Sequence, residues 1–146
     1  MGEPEVQWSH KDEWKYQTRH FTVVVSRHCV SVPEWVGVGQ DGGNRWCVYA
    51  YVYPTHWLFS RFDESESISQ DAARELNMHG GASLVSYHQR ADKVTSIQVG
   101  ADYNHLGDSH YTFQSTKEDA RSVFMDAADL ISFLKQPEQK TTEADQ

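Results

Sequence analysis

A short segment in the second half of the chain combines acidic residues with a histidine. In DYNHLGD, residues 102–108, Asp102, His105 and Asp108 follow one another at three-residue steps. Two carboxylates and an imidazole in this spacing can hold a divalent metal ion, or one carboxylate can orient the imidazole for proton transfer. Gly107 allows the segment to turn back. Ordinary loops use the same residue types, so the spacing leaves a functional site and a plain loop both open.

Two consecutive glycines follow His79 in the segment HGGAS, residues 79–83. Without a Cβ, Gly80 and Gly81 let a ligand approach the backbone, and their consecutive amides can form a concavity that suits an anion. The alternative is a helix that ends at the glycines, with His79 interacting with the helix dipole. The residues alone leave both interpretations open.

The elements that would position these segments are predicted to be mainly strands. A β-branched run predicts a strand from Phe21, and a two-residue alternation of bulky side chains predicts a long strand over residues 45–53. Residues 83–87 and 94–101 predict a hairpin. Between these strands, residues 71–79 predict a short helix that the following glycines end.

The clearest helix pattern lies near the C-terminal end. Ser115 and Glu118 have the spacing of a capping box, and apolar residues from 120 to 134 recur on one helix face. Strands, a short helix, further strands and a long helix, without regular alternation, predict a single α+β domain. We expect a mainly antiparallel sheet with the long helix packed on it.

The predicted domain covers residues 1–136. Residues 1–19 mix charges with aromatic rings and predict an arm that packs through its rings. Residues 137–146 contain no apolar side chain beyond one alanine and predict a disordered tail. Cys29 and Cys47 stand singly in apolar runs, which predicts reduced core thiols rather than a disulfide or a metal site.

Composition narrows the functional classes. The 146 residues carry 13 basic and 21 acidic side chains, a net charge of −8, and the basic residues are scattered. This distribution disfavours binding to a nucleic-acid duplex. No apolar stretch reaches the length of a membrane-spanning helix, and the first residues lack the features of a signal peptide. We therefore expect a soluble, cytoplasmic protein without a membrane partner.

The second half of the chain also resembles a family of small, mostly uncharacterised proteins of bacteriophages and prophages. The family pattern is an NGYV strand before a PxxH turn, then HGG-x-[ST], then GFD-xx-H-x-GD and a C-terminal helix. Here the corresponding segments are YAYV with PTH at 49–56, HGGAS at 79–83, GADYNHLGD at 100–108 and the helix from Thr116. The resemblance covers roughly residues 45–135.

This resemblance implies that residues far apart in the sequence converge around one pocket. The implied catalytic residues are His56, His79, Asp102, His105 and Asp108. The residues implied to shape the backbone or bind a ligand are Gly80, Gly81, Ser83 and Gly107. Ala101 stands where the family has an aromatic residue, and Trp57 where a proline is common, so the pocket wall differs while the polar residues are kept.

Three functions fit these residues. The first is hydrolysis of a phosphodiester, such as a nucleotide immune signal, with histidines as general base and acid and glycine amides receiving the phosphate. The second is sequestration of the same ligand without cleavage, with bases stacked on rings such as Tyr51 and Trp57. The third is inhibition of a host defence protein, with the net charge of −8 mimicking nucleic acid.

A metal-assisted form of the first function would use a divalent metal ion as its cofactor. The candidate ligands are His79, Asp102, His105 and Asp108. By analogy with phage proteins of this size, we expect a role against host defence in the bacterial cytoplasm. Long aromatic strands are also compatible with a homo-oligomer.

Overall fold

The computed structural model describes residues 11–30, 42–105 and 107–138. The described strands are β1 (Lys11–Gln17), β2 (Phe21–Cys29), β3 (Asn44–Val52), β4 (Leu84–Arg90) and β5 (Lys93–Asp102). The described helices are α1 (Asp71–Glu75) and α2 (Arg121–Lys135), with 3-10 turns at Phe59–Arg61 and Ser109–Phe113. The prediction of an α+β fold with an antiparallel sheet, one short helix and one long helix is confirmed.

The five strands form one antiparallel sheet in the order β1-β2-β3-β5-β4. At its centre, Cys47 of β3 lies opposite Asp102 of β5, and Val52 lies opposite Ile97. Because the two strands run in opposite directions, β3 ends beside the early part of β5. The segment that follows β3 and the segment that follows β5 therefore lie at opposite ends of the sheet.

One face of the sheet carries the hydrophobic core. The alternation in β3 buries Trp46, Val48 and Ala50 on this face. Helix α2 covers the same face with side chains that recur along one side of the helix, including Val123 and Leu130. Burying each such aliphatic side chain contributes about 1.5 to 3 kcal/mol. This packing fixes the covered face and the loops that border it.

The opposite face of the sheet carries the tyrosines of β3. Tyr49, Tyr51 and Tyr53 line a groove of about 540 Å³ together with polar side chains of the neighbouring strands. The ring of Tyr49 lies over Gly100 of β5, where an added Cβ would come within 2.5 Å of its Cδ1 atom. Burial raises the pKa of the Tyr49 hydroxyl above its ordinary value, so this residue is neutral at pH 7.

Residues 1–19 were predicted to be an arm that packs through its rings, and within this arm residues 11–17 form the edge strand β1. Trp14 does pack through its ring, which stacks on Trp46 at a centroid distance of 5.8 Å. A partly buried ion pair adds to the pairing of β1 with β2, since Arg27 donates to Asp12 at 2.8 Å. The sequence did not reveal this strand, which lies at an edge of the described sheet, because charged and aromatic residues are mixed in it.

The predicted hairpin is longer than its sequence pattern indicated. Strands β4 and β5 extend until Arg90 pairs with Lys93, which leaves a two-residue turn. Ala91 and Asp92 both have positive φ, 52° and 67°, as a type I′ turn requires. Charged residues therefore continue both strands beyond the apolar run that the prediction used.

Both helices are shorter than predicted. Helix α1 covers five residues, and Gln70 at its start makes no side-chain cap hydrogen bond. Helix α2 begins at Arg121 rather than near Thr116, and the predicted capping box of Ser115 and Glu118 does not start it. Instead the Thr116 hydroxyl accepts the Asp119 amide at 3.0 Å, which closes a separate turn before the helix.

Two further predictions fall largely outside the described residues. They concern the first ten residues of the arm and residues 139–146 of the tail. Neither helix in the part of the chain that the structure describes has the length and apolar character needed to cross a membrane.

Candidate functional site

Three side chains meet beside the end of β5, and we call them the Asp108 cluster: His79, His105 and Asp108. The two oxygens of the Asp108 carboxylate, Oδ1 and Oδ2, lie 3.0 and 2.9 Å from Nε2 of His79. Its Oδ2 atom also lies 3.0 Å from Nδ1 of His105. The two imidazole rings are tilted at a centroid distance of 5.5 Å. One carboxylate thus contacts a nitrogen of each ring.

A tight turn after β5 places Asp108 and His105 together. The Asp108 amide donates to the His105 carbonyl at 2.9 Å, and the His105 amide donates back to Oδ2 of Asp108 at 2.9 Å. Gly107 has a φ of +95°, which a residue with a Cβ rarely adopts. The three-residue spacing noted in the sequence therefore closes one turn and brings both side chains to the same place.

Asp108 is only 7% exposed, and its surroundings keep it ionised. Burial by itself raises the pKa of this carboxyl. Hydrogen bonds from the His105 amide and from both imidazoles lower it by more, so the pKa lies below its ordinary value. The cluster therefore contains a carboxylate that is negative at neutral pH.

His79 reaches the cluster from the turn that follows α1. The turn uses positive φ values at Asn77, Gly80 and Gly81, and the Gly81 amide donates to the Met78 carbonyl at 2.9 Å. The His79 ring then stacks on Tyr103 with a centroid distance of 4.2 Å and an interplanar angle of 13°. Backbone turn and ring stacking together fix which nitrogen of His79 faces Asp108.

Gly80 is required for the position of His105. A Cβ added to Gly80 would lie 2.7 Å from Cε1 of His105 and 3.0 Å from each ring nitrogen. The His105 ring therefore lies directly against the Gly80 backbone. At Gly81, by contrast, an added Cβ would meet nothing within 4 Å among the described residues.

Asp102 borders the cluster from its outer side. Its Oδ1 atom lies 3.7 Å from Nε2 of His105, and its side chain is 45% exposed. This is the nitrogen of His105 that does not face Asp108. Asp102 is therefore placed to orient the His105 ring rather than to share the point at which the other three residues converge.

The arrangement can hold a metal ion. His79, His105 and Asp108 each offer one ligand atom, and these atoms all lie within 4.8 Å of one another. The side chains of the two histidines are 24% and 38% exposed, so the cluster is reachable from solvent. The same contacts are also short enough to be hydrogen bonds that orient the two imidazoles.

His56 does not join the cluster, which corrects the expectation that all three histidines converge. Its Nε2 donates to the Leu134 carbonyl at 2.8 Å, and its Nδ1 accepts the Leu58 amide at 3.0 Å. His56 follows Val52 in β3, whereas Asp102 lies opposite Cys47. Cys47 and Val52 are five residues apart in β3, which corresponds to about 16 Å along the strand. The expectation did not take into account that neighbouring antiparallel strands end at opposite ends of the sheet.

The two aromatic residues suggested for base stacking also lie elsewhere. Trp57 follows His56, and its ring N–H donates to the Gln136 carbonyl at 2.8 Å while Phe133 packs against the ring. Tyr51 lies in the groove on the open face of the sheet. The cluster borders the covered face, since His79 stacks on the buried Tyr103. Neither ring is placed with the Asp108 cluster.

The glycine motif is brought to the cluster with a different role from the one expected. The Gly81 amide is already bonded to the Met78 carbonyl, so it is not free to receive a phosphate. The amide and hydroxyl of Ser83 both contact the Gly100 carbonyl, at 2.8 and 3.4 Å. The glycines thus make room for His105 and shape the surface beside it.

Sequence reasoning missed two residues that support the site. Tyr103 is 1% exposed, carries the stacked His79 ring, and donates from its hydroxyl to Asp126 of α2 at 2.6 Å. Burial, with further contributions from Asp126, raises the pKa of Tyr103 and keeps it protonated. The only signal in the sequence was an aromatic residue beside Asp102 at the end of a predicted strand.

Comparison of the chain with protein-family models, with curated proteins and with solved structures finds no match. The resemblance to phage proteins stays a prediction. Function is therefore inferred from the geometry and electrostatics of the Asp108 cluster.

Proposed function

We propose that the Asp108 cluster is a divalent metal centre through which the protein binds and hydrolyses a phosphate-containing small molecule. The observation that supports this proposal is the convergence of ligand atoms of His79, His105 and Asp108 within 4.8 Å of one another. Two imidazole nitrogens and one carboxylate oxygen are a ligand set of catalytic zinc sites, in which water or substrate takes the remaining position.

The position of Asp102 favours metal binding over a set of hydrogen bonds alone. Histidines that bind a metal usually present their second nitrogen to a carboxylate or carbonyl, which fixes the ring and its tautomer. His105 comes close to this arrangement: its Nδ1 faces the cluster, and its Nε2 lies 3.7 Å from Asp102, an ion-pair distance rather than a hydrogen-bond length. Asp102 is therefore assigned an orienting role and is not one of the ligands.

The negative charge beside the two histidines means that a bound cation would favour binding of a phosphate. Asp108 is ionised, and Asp102 adds a second carboxylate beside His105. A phosphate that approached these carboxylates alone would be repelled. A divalent cation held between His79, His105 and Asp108 would offset these two negative charges and offer the anion an open coordination position.

The chain's own residues hold and orient the reacting groups. A metal ion bound here would polarise the phosphoryl oxygen and lower the pKa of a bound water. His79 is fixed by Tyr103, and His105 is fixed by Gly80 and Asp102. The partial exposure of both histidines leaves an approach for the ligand.

The test is hydrolysis of bis(4-nitrophenyl) phosphate by protein that has been treated with a chelator and then loaded with zinc or manganese. We expect metal-dependent release of nitrophenol, and no release by a His79→Asn, His105→Asn double variant. His56→Gln, at the other end of the sheet, is the matched control and should keep the activity. Absence of metal binding by the wild-type protein would overturn the proposal.

A metal-free acid and base pair is the second candidate, and one observation favours it. Each imidazole lies within 3.0 Å of the Asp108 carboxylate, which is hydrogen-bond length. In that case the two rings would exchange protons with the substrate directly. Activity that persists in chelator, but is lost in the double histidine variant, would identify this alternative.

A panel of cyclic and linear nucleotides separates hydrolysis from sequestration. Recovery of products after the protein is denatured supports hydrolysis, and recovery of intact ligand supports sequestration. The phage resemblance extends the proposal to a nucleotide signal of host defence. Inhibition of a host defence protein instead predicts a salt-sensitive protein complex that the double histidine variant still forms.

A further inference from the structure

The turn that carries His79 also borders a second cavity. This cavity, which we call the glycine groove, measures about 440 Å³ and includes Ile68, Ala73, Met78, Gly80 and Gly81 in its lining. Its size lies within the range of pockets that bind small molecules. None of the functions considered above uses this groove.

The glycine groove lies next to the Asp108 cluster. Gly80 belongs to its lining, and the His105 ring packs against the Gly80 backbone, where an added Cβ would come within 2.7 Å of the ring. A molecule that rests on Gly80 therefore borders His105. One ligand of moderate length is able to contact the cluster and the groove together.

The surface of the groove suits a flat apolar group. At Gly81, no atom of the other described residues lies within 4 Å of the position that a Cβ would take, so the backbone forms an open floor there. Met78 contributes a thioether to the lining, a group that makes favourable contacts with aromatic rings. Ile68 is 46% exposed at the groove, an apolar side chain that a bound ring would cover.

Polar groups on the same lining match the edge of a nitrogen heterocycle. Asn77 offers an amide with both donors and an acceptor, and it is held in a positive φ conformation by the turn. Arg74 offers a guanidinium, which is paired with Asp71 and largely exposed. A hydrocarbon or a lipid tail would leave these groups unused.

We infer that the ligand of the Asp108 cluster is a nucleotide, with its phosphate at the cluster and its base in the glycine groove. This inference rests on the proposed function, since it requires a phosphate at the metal centre. It adds a binding site for the base, because the groove selects a phosphate that carries a flat heterocycle over one that does not.

The test compares adenosine 5′-monophosphate with ribose 5-phosphate on the zinc-loaded protein by calorimetric titration. The two probes share the sugar and the phosphate, so the ratio of their affinities isolates the base. We expect the nucleotide to bind about 10-fold tighter or more, because the apolar faces of the base leave water when they pack in the groove. Ser69→Trp, at the rim of the groove, should fill it and reduce the ratio towards one.

Ser132→Trp is the matched control for an indole added at an exposed serine. Ser132 is exposed on α2 and is not part of the groove lining, so its variant should keep the wild-type ratio. Equal affinity of both probes for the wild-type protein would overturn the groove assignment while the proposed function stands. Failure of both probes to bind would overturn the proposed function and, with it, this inference. An unchanged ratio in Ser69→Trp, with zinc binding intact, would also overturn it.

Discussion

His56 and His79 lie in similar surroundings at first sight. Each follows an ordered element, and each ring contacts aromatic neighbours, Phe21 for His56 and Tyr103 for His79. The groups at the ring nitrogens differ. Both nitrogens of His56 are bonded to backbone groups, at Leu134 and Leu58, whereas His79 directs one nitrogen at the carboxylate of Asp108.

This difference separates a structural histidine from a functional candidate. A neutral imidazole with one backbone acceptor and one backbone donor has no nitrogen left for a ligand. His79 has no hydrogen-bond partner for its other nitrogen within the described ranges, and His105 faces only Asp102 at 3.7 Å on its outer side. The neighbours of the nitrogens, rather than burial or ring packing, decide which histidines are available for chemistry.

The largest expected effect concerns metal affinity. We expect the His79→Asn, His105→Asn double variant to bind zinc more than about 100-fold more weakly, since loss of groups that only support the ligands already costs 10- to 100-fold. His56→Gln should bind zinc like the wild type. Calorimetric titration of chelator-treated protein measures both. An equal loss of zinc affinity in His56→Gln would contradict the distinction between the histidines at the two ends of the sheet.

For the free energy of unfolding, in contrast to zinc affinity, we expect the larger effect at His56. His56→Ala removes partners from the Leu134 carbonyl and the Leu58 amide and leaves a cavity near the C-terminal end of α2. We expect the free energy of unfolding to fall by about 2 to 4 kcal/mol. Urea denaturation measures this change. A loss below about 0.5 kcal/mol would mean that these hydrogen bonds do not hold α2 in place.

The two glycines that follow His79 allow a comparison of zinc affinity between neighbouring positions of the same site. Gly80→Ala and Gly81→Ala both place a Cβ at positive φ, so each should lose about 1 to 2 kcal/mol of stability. Only the Gly80 Cβ would meet the His105 ring. We expect zinc affinity to fall about 10-fold in Gly80→Ala and to stay within error in Gly81→Ala. Identical zinc affinities in the two variants would contradict the role given to Gly80.

The smallest expected effect is the pH dependence from His56. Burial lowers the pKa of His56 below its ordinary value, although the hydrogen bond to Leu134 acts in the other direction. The unfolded chain therefore takes up the proton first as pH falls below about 6.5, and stability decreases from there down to the folded pKa. The slope from this residue is at most about 1.4 kcal/mol per pH unit.

His56→Gln, which cannot titrate, should show a flatter pH dependence than the wild type between pH 7 and pH 5. Denaturation of both proteins in chelator isolates the contribution of His56 from metal binding. A difference between the two proteins that stays constant over this interval would contradict the lowered pKa.

The sequence predicted the elements whose signals are local. The two-residue alternation of β3 and the apolar face of α2 depend only on residues within one element, and both elements were found. Strand β1 was missed because its stability comes from pairing with β2 and from Trp14 on Trp46, contacts with other elements that the residue types within β1 do not reveal. The start of α2 was misplaced because the Thr116 hydroxyl closes a turn of its own.

The candidate site was predicted as far as short-range spacing allows. His105 and Asp108 share one turn, so three-residue spacing sufficed to bring them together. The inclusion of His56 failed because it required the direction of neighbouring strands, which residue types do not reveal. Tyr103 was also missed, because its partners His79 and Asp126 lie on other elements.

The most direct test of the metal centre is anomalous diffraction at the zinc edge from crystals of the zinc-loaded protein. We expect one strong peak within bonding distance, about 2.0 to 2.2 Å, of His79 Nε2, His105 Nδ1 and a carboxylate oxygen of Asp108. Zinc found only at other residues, or a cluster that keeps its hydrogen bonds with no peak among the three side chains, would contradict it.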